Sequence, residues 1–228
     1  MTGIAGKKNS DARRRAALRR LGATALAGSG FYALACAAMA GSGKQGIVRI
    51  KGAVSVDGKP AAPGQAIGLG QKVVTGADGE VVFIVGQDAF LQRPDSEFLM
   101  EAGTGVAVLR YLSGKILAVF GKGAKQLRTP TAAIGIRGTA CYIEAAPART
   151  YFCLCYGEAE LAPLADPDAR EILRTQHHER PLYIGDKPGQ TMMAKAPVIN
   201  HTDAELTMLE ALVGRKPPFE GAAYPFKY

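Results

Sequence analysis

All three histidines of the chain, His177, His178 and His201, lie in its last quarter, and a Cys153-Leu154-Cys155 step stands shortly before them. Imidazole nitrogen and thiolate sulfur are the donors that zinc and copper select, and two thiols in an oxidising compartment can instead close a disulfide. His177, His178 and His201 are therefore candidate transition-metal ligands, and no other cofactor is implied. The competing reading is three hydrogen-bonded structural histidines. No C-x-x-C or H-x₃-H spacing is present, adjacent histidines often point apart, and His201 precedes a Thr202 that reads as a helix cap.

The cysteines allow a sharper geometric argument. If 146–149 is the turn of a hairpin, Cys141 falls opposite residue 153, 154 or 155. Opposed residues share a face, so two of these registers set Cys141 beside a cysteine and the third separates the pair across the sheet. Cys141, Cys153 and Cys155 are thus the candidate disulfide set, with three small buried thiols as the alternative.

Other chemistry lacks its residues. Gly103-Thr104-Gly105 is followed by Val106-Ala107-Val108-Leu109, which reads as strand, and the third glycine of a dinucleotide fingerprint is missing. Gly121-Lys122-Gly123 has neither the spacing nor the Lys-Ser/Thr ending of a phosphate loop, and reads as a hairpin-like turn after Ile116 to Phe120. No Gly-x-Ser-x-Gly elbow or His-Glu-x-x-His helix occurs, so no catalytic residue is nominated and an enzyme is not expected.

What must position these groups is a β-rich body. Leu127 to Leu161 joins a rigid Thr129-Pro130-Thr131 corner to two apolar runs rich in β-formers, with Gly135 and Gly138 flanking Arg137 and Thr139 following. The glycines can take positive φ or admit a close backbone, and a guanidinium between them can tie carbonyls or a carboxylate together. Upstream, Asp57-Gly58 marks a tight turn, glycines recur every few residues from Gly64 to Gly79, and Val81 to Val85 is apolar throughout, as in a strand covered on both faces. The expected fold is all-β, a glycine-punctuated sandwich, roll or short solenoid spanning 46–161.

The run from Thr129 to Thr139, preceded by the glycine-rich block at 64–80, resembles the FecR-type periplasmic domain. The resemblance covers about half of the chain, Gly46 to Leu161. It implies an extracytoplasmic β domain without catalysis, known from regulators that sense iron-siderophore uptake. In that light Thr129, Pro130, Gly135, Arg137, Gly138 and Thr139 are structural motif residues. With only about twenty residues ahead of the apolar run, too few for a domain that folds alone, a stand-alone module without an anti-sigma domain is expected.

Residues 1–40 read as an export leader. Seven of the 28 basic residues precede the uncharged run Leu21 to Ala40, which ends Ala38-Met39-Ala40, and Arg14-Arg15 within Arg14 to Arg19 resembles the twin-arginine motif. A cleaved leader, an uncleaved single-span anchor and a lipidated Cys36 all deliver the body outside the cytoplasm, so the expected location is the periplasm, membrane-attached only through the leader. The net charge of +8 belongs largely to this segment, because the remainder carries 21 basic against 19 acidic residues. No basic stripe with interleaved aromatics follows residue 41 and there is no Trp, which excludes a nucleic-acid partner.

Residues 162–228 form a C-terminal extension. Asp166-Pro167-Asp168 reads as the start of a short helix, and Pro181 to Ile184 as a strand. Thr202-Asp203-Ala204-Glu205 is a capping box that predicts a helix over 203–213, with its leucine face on the β domain. Pro217-Pro218-Phe219 and Tyr224-Pro225-Phe226 read as an aromatic-anchored strap. The functional expectation is an exported binding or sensory module for an envelope protein, polymer or small ligand. A periplasmic metal or redox protein built on the His/Cys cluster is the alternative.

Overall fold

A computed structural model describes residues 45–102, 107–187 and 191–221. The leader with Arg14 and Arg15, the Gly103-Thr104-Gly105 turn and the Tyr224-Pro225-Phe226 end of the strap lie outside the described residues.

The fold is mostly β with one C-terminal helix, and five strands close a small barrel with the others outside it. The strands run in chain order as β1 (Gly46–Lys51), β2 (Val54–Val56), β3 (Lys59–Pro60), β4 (Lys72–Thr75), β5 (Glu80–Val85), β6 (Asp88–Gln92) and β7 (Ser96–Ala102). They continue as β8 (Ala107–Val119), β9 (Ala124–Arg128), β10 (Ala132–Ala146), β11 (Arg149–Pro163), β12 (Glu171–Thr175), β13 (Leu182–Gly185) and β14 (Met193–Lys195), followed by helix α1 (Asp203–Leu212). The Asp57-Gly58 turn forms as read, with both residues at positive φ, the twist a two-residue hairpin requires. Val81, Val82, Phe83 and Ile84 are all buried, so β5 is covered on both faces.

The expected hairpin at Gly121–Gly123 is corrected by the pairing of β8. Its first residues run parallel to β9, Ala107 facing Lys125 and Arg110 facing Arg128, while its last residues run antiparallel to β10. A strand can serve both partners only by bending, and Gly114 is the bend. Its φ is +89°, and a Cβ there would lie 2.2 Å from Ser96 Oγ, which accepts a hydrogen bond from the Lys115 amide at 2.8 Å. The chain thus closes a single coil on itself. Inside it, Phe83, Phe90, Phe98 and Phe120 pack with ring centroids 4.9 to 5.7 Å apart in the contacting pairs.

The Asp166 helix is also corrected: this stretch turns and enters strand β12. Leu173 and Thr175 point inward while Ile172 and Arg174 are exposed, a period of two that suits an edge, and Arg174 reaches Glu158 of β11 at 2.7 Å. Helix α1 forms where its capping box predicts, with both reciprocal bonds of Thr202 and Glu205 made. It buries Leu206, Met208, Leu209 and Leu212 together with Glu205 and Glu210. The two carboxylates are satisfied by cations from elsewhere in the chain, Arg93 at 2.7 Å and Arg215 at 2.6 Å.

Candidate metal centre

The centre is built on the far face of the β10–β11 hairpin, whose two-residue turn lies between Ala146 and Arg149. Alternation sends Ile143, Cys141, Phe152 and Leu154 into the aromatic core, and Tyr142, Tyr151 and Cys153 to the opposite face beneath the C-terminal extension. Two irregularities shape this hairpin. Gly138 and Thr139 face only Gly157 on β11, and Cys155 then has no direct partner, because Ala140 pairs with Tyr156 and Cys141 with Leu154. Such bulges re-aim side chains. Cys155 stands on the same side as Cys153 by the ordinary two-residue alternation, and the second bulge leaves it without a residue directly opposite.

The histidines arrive from two turns. After Thr175 anchors its hydroxyl on Leu154 O at 2.8 Å, the Glu179 carboxylate accepts the amides of Gln176 and His177, and the His178 amide donates to Cys155 O at 3.0 Å. His178 has φ +57°, a conformation uncommon for a side-chain-bearing residue, and this twist lets both members of the His177-His178 pair reach one carboxylate. His201 follows Asn200, also at positive φ (+56°), and stacks on Tyr142 with centroids 4.7 Å apart.

Hydrogen bonds orient both rings. His201 Nδ1 lies 2.6 Å from Ile199 O, which can only accept, so Nδ1 carries a proton and Nε2 is turned toward the cluster. His178 Nε2 lies 3.2 Å from the Asp203 carboxylate, which turns Nδ1 toward the cluster. The two inward nitrogens are 3.1 Å apart, and His178 Nδ1 is 3.4 Å from Cys153 Sγ. With Cys155, the four donor atoms lie within 4.8 Å of one another and all four residues are buried. A tetrahedron with zinc-type bonds to nitrogen and sulfur has N···N edges of about 3.3 Å and N···S edges of about 3.6 Å. The His178–His201 edge of 3.1 Å and the His178–Cys153 edge of 3.4 Å lie near these values.

The outer shell has the form such sites require. One imidazole is tied to a backbone carbonyl and the other to a carboxylate, which orients each ring and raises the basicity of its inward nitrogen. Burial opposes ionisation of Cys153, but hydrogen bonding from Cys155, His178 and His201 outweighs it and holds this thiol well below the ordinary range. Burial and the neighbouring Cys153 push Cys155 up, so Cys153 is the thiol of the pair that gives up its proton more readily, and both would have to be deprotonated to hold a cation. Two thiolates and two neutral imidazoles around a divalent ion sum to zero charge, the state a buried site tolerates. Four protein donors leave no open position for substrate, the arrangement of a structural site rather than a hydrolytic one.

No family model matches the chain. No curated protein matches it either. Among solved structures it is similar to two crystal structures of a candidate anti-sigma factor from Parabacteroides distasonis, at 1.65 and 2.50 Å resolution. Each is 10% identical with a TM-score of 0.46 over 55% of this chain, and the chain spans 58% of the length of that protein.

The structure brings His178 and His201 together with Cys153 and Cys155, the His/Cys cluster of the alternative reading, and groups His177 with His178 at Asp203. His177 stands one step out: its Nε2 contacts both Asp203 oxygens, at 2.9 and 3.0 Å, and its ring packs on Phe219 with centroids 4.6 Å apart. The disulfide expectation for Cys141 is corrected, because the hairpin adopts the separating register. Cys141 faces Leu154 in the core, and all three cysteines are free thiols.

The motif residues divide. Thr129 and Thr131 are buried and share the Thr150 hydroxyl at 2.8 Å each, while Thr131 also donates to Ile184 O at 3.0 Å, so the Thr-Pro-Thr corner joins β10, β11 and β13. Gly138 takes φ +55° as its position suggested, whereas Gly135 needs neither positive φ nor a close approach. Arg137 is exposed and makes no hydrogen bond or ion pair among the described residues, so it ties no carbonyls together. Thr139 is buried with its hydroxyl unpaired. Sequence reasoning missed Asp203, whose signal was present as the first acidic residue of a capped helix, and Tyr142, which had none.

Proposed function

We propose that this protein is a non-enzymatic β-domain protein that holds one zinc-class ion through Cys153, Cys155, His178 and His201, and that the ion fastens the C-terminal extension to the main hairpin. The observation that carries this reading is four buried nitrogen and sulfur donors within 4.8 Å of one another, with His178 Nδ1 3.1 Å from His201 Nε2 and 3.4 Å from Cys153 Sγ while the outer nitrogens face Asp203 and Ile199 O. Buried polar donors require partners, and one cation at their centre meets all four at once. Mixed thiolate and imidazole donors favour Zn(II) among common ions. Metal analysis of the purified protein tests it, with one equivalent expected and cobalt substitution giving the visible bands of a tetrahedral thiolate site. Less than a tenth of an equivalent after zinc reconstitution, with no such bands, overturns it.

The cellular setting we propose is the periplasm, with an envelope protein, polymer or small ligand as partner and a role like that of FecR-type sensory modules. The support is the sequence resemblance from Thr129 to Thr139 together with the leader pattern at 1–40. Replacing Arg14 and Arg15 together by Lys in a reporter fusion is expected to block export, and unchanged export would assign the leader to the general secretory route.

A further inference from the structure

The metal centre shares its walls with a cleft of about 840 Å³, a size typical of small-ligand sites. It is lined by the bulged part of the hairpin, Gly138, Gly157 and Tyr156, and by three cations, Lys122, Arg215 and Lys216, the last of which also pairs with Glu220 at 3.2 Å. A Cβ on Gly138 would meet nothing within 4 Å, so the space above this backbone is open. Arg215 donates from Nε to Glu210 at 2.6 Å and from Nη1 to Gln87 O at 2.7 Å, yet its buried Nη2 has no hydrogen-bond partner. As a residue lining the cleft beside two exposed lysines, Arg215 contributes to a cationic set, and an oxyanion is the ligand that such a set satisfies best.

We infer that this cleft binds a small oxyanion, a phosphate or a carboxylate, between Arg215 and the two lysines. Phosphate and carboxylate offer the same oxygens to this set, and the test below separates them. Three chain segments serve both cleft and metal. Cys155 is a ligand and Tyr156 lines the cleft; Thr175 and Gln176 line the cleft just before His177 and His178; helix α1 begins at Asp203 and presents Glu210 to Tyr156 and Arg215. Resting on the metal reading, the cleft is therefore assembled when the ion is bound, and anion affinity follows metal occupancy by reciprocal coupling.

The test titrates inorganic phosphate and, separately, succinate into zinc-reconstituted full-length protein at low ionic strength. One of the two is expected to bind with Kd of about 1 mM or tighter, and which one identifies the ligand class. Lys122→Gln with Lys216→Gln, both on exposed side chains, is expected to weaken it at least about tenfold. Failure of both anions to bind, or unchanged affinity in the double variant at an unchanged Tm, overturns the cleft assignment. Chelation, with metal loss verified, is expected to lower affinity by roughly 5- to 150-fold. Equal affinity with and without the ion overturns the coupling. Protein that takes up no metal yet binds the anion in this cleft fails the metal reading and upholds the cleft.

Discussion

His178 Nδ1 and His201 Nε2 face each other across 3.1 Å, inside a group of four buried donors that includes Cys153 and Cys155. Asp203 and Ile199 O hold the outer nitrogens of the two rings. Single substitutions can separate ligand from support. Cys153→Ser or His201→Ala is expected to abolish stoichiometric zinc, because a closed site loses a quarter of its donors. His177→Ala is expected to retain one equivalent with affinity lowered about 10- to 100-fold, the effect of an outer-shell change. Competition with a chromogenic chelator measures both, and complete metal loss in His177→Ala would make His177 a ligand instead.

Cys141 is expected to behave as a core residue and nothing more. Burial raises its thiol above the ordinary range, and its neighbours are apolar. Cys141→Ala is expected to cost about 1–2 kcal/mol while leaving metal content unchanged. Alkylation of denatured, chelated protein before reduction is expected to label all three thiols. A peptide linking Cys141 to either neighbour would contradict the register.

The glycine-flanked arginine makes an internally controlled pair. Gly138→Val forces a β-branched residue to φ +55° and is expected to cost on the order of 1–3 kcal/mol, although no atom blocks its Cβ. Gly157→Ala is expected to cost more than Gly138→Ala, because its Cβ would sit 2.6 Å from Thr139 Cγ2 at φ +101°. Arg137→Ala is expected to stay within about 0.5 kcal/mol of wild type, as surface changes without partners do. Urea denaturation ranks the four variants, and a large loss at Arg137 would reveal a contact beyond the described residues.

Asp88 gives a dependence on pH whose sign is fixed. Burial pushes its carboxyl up, against the Gly121 amide at 2.8 Å and Lys125 at 3.3 Å. The folded protein then holds this proton more tightly than the unfolded chain, so Asp88 contributes stability below the ordinary value of 3.8 that is lost as pH rises through its folded pKa. Asp88→Asn keeps an acceptor for Gly121 and removes the titration. Its Tm relative to wild type is expected to climb between about pH 3 and pH 6, and a constant difference would show that Lys125 offsets the burial.

Much of this molecule is written in short-range pattern. The Asp57-Gly58 turn, the covered strand at Val81–Ile84, the hairpin turn at 146–149 and the capped helix at Asp203 follow from residue types a few positions apart. The expectations that failed depend on partners distant in sequence. Gly121–Gly123 has a turn composition whether the chain then reverses or coils, and only the bend at Gly114 decides. Residues 166–175 join the free edge of β11 because that edge is there. At the metal centre, residue types disclosed the donors but not their grouping. Two registers out of three favoured a bridge to Cys141, and the third, together with left-handed backbone at His178 and Asn200, sets Cys153 and Cys155 beside the histidines instead.

The two irregularities of the β10–β11 hairpin cancel. β10 carries one extra residue at Gly138-Thr139 and β11 one at Cys155, and on either side of them the strands keep the same pairing register. In hereditary terms this is a matched insertion pair. Loss of a codon at one bulge alone would turn every residue beyond it to the wrong face, whereas a second loss at the other bulge would suppress the first and restore a regular ladder. The doubly deleted hairpin would keep its core and its threonine corner but have no Cys155. Lineages carrying both deletions would therefore be expected to retain the β body and to be released from any requirement for His178 and His201.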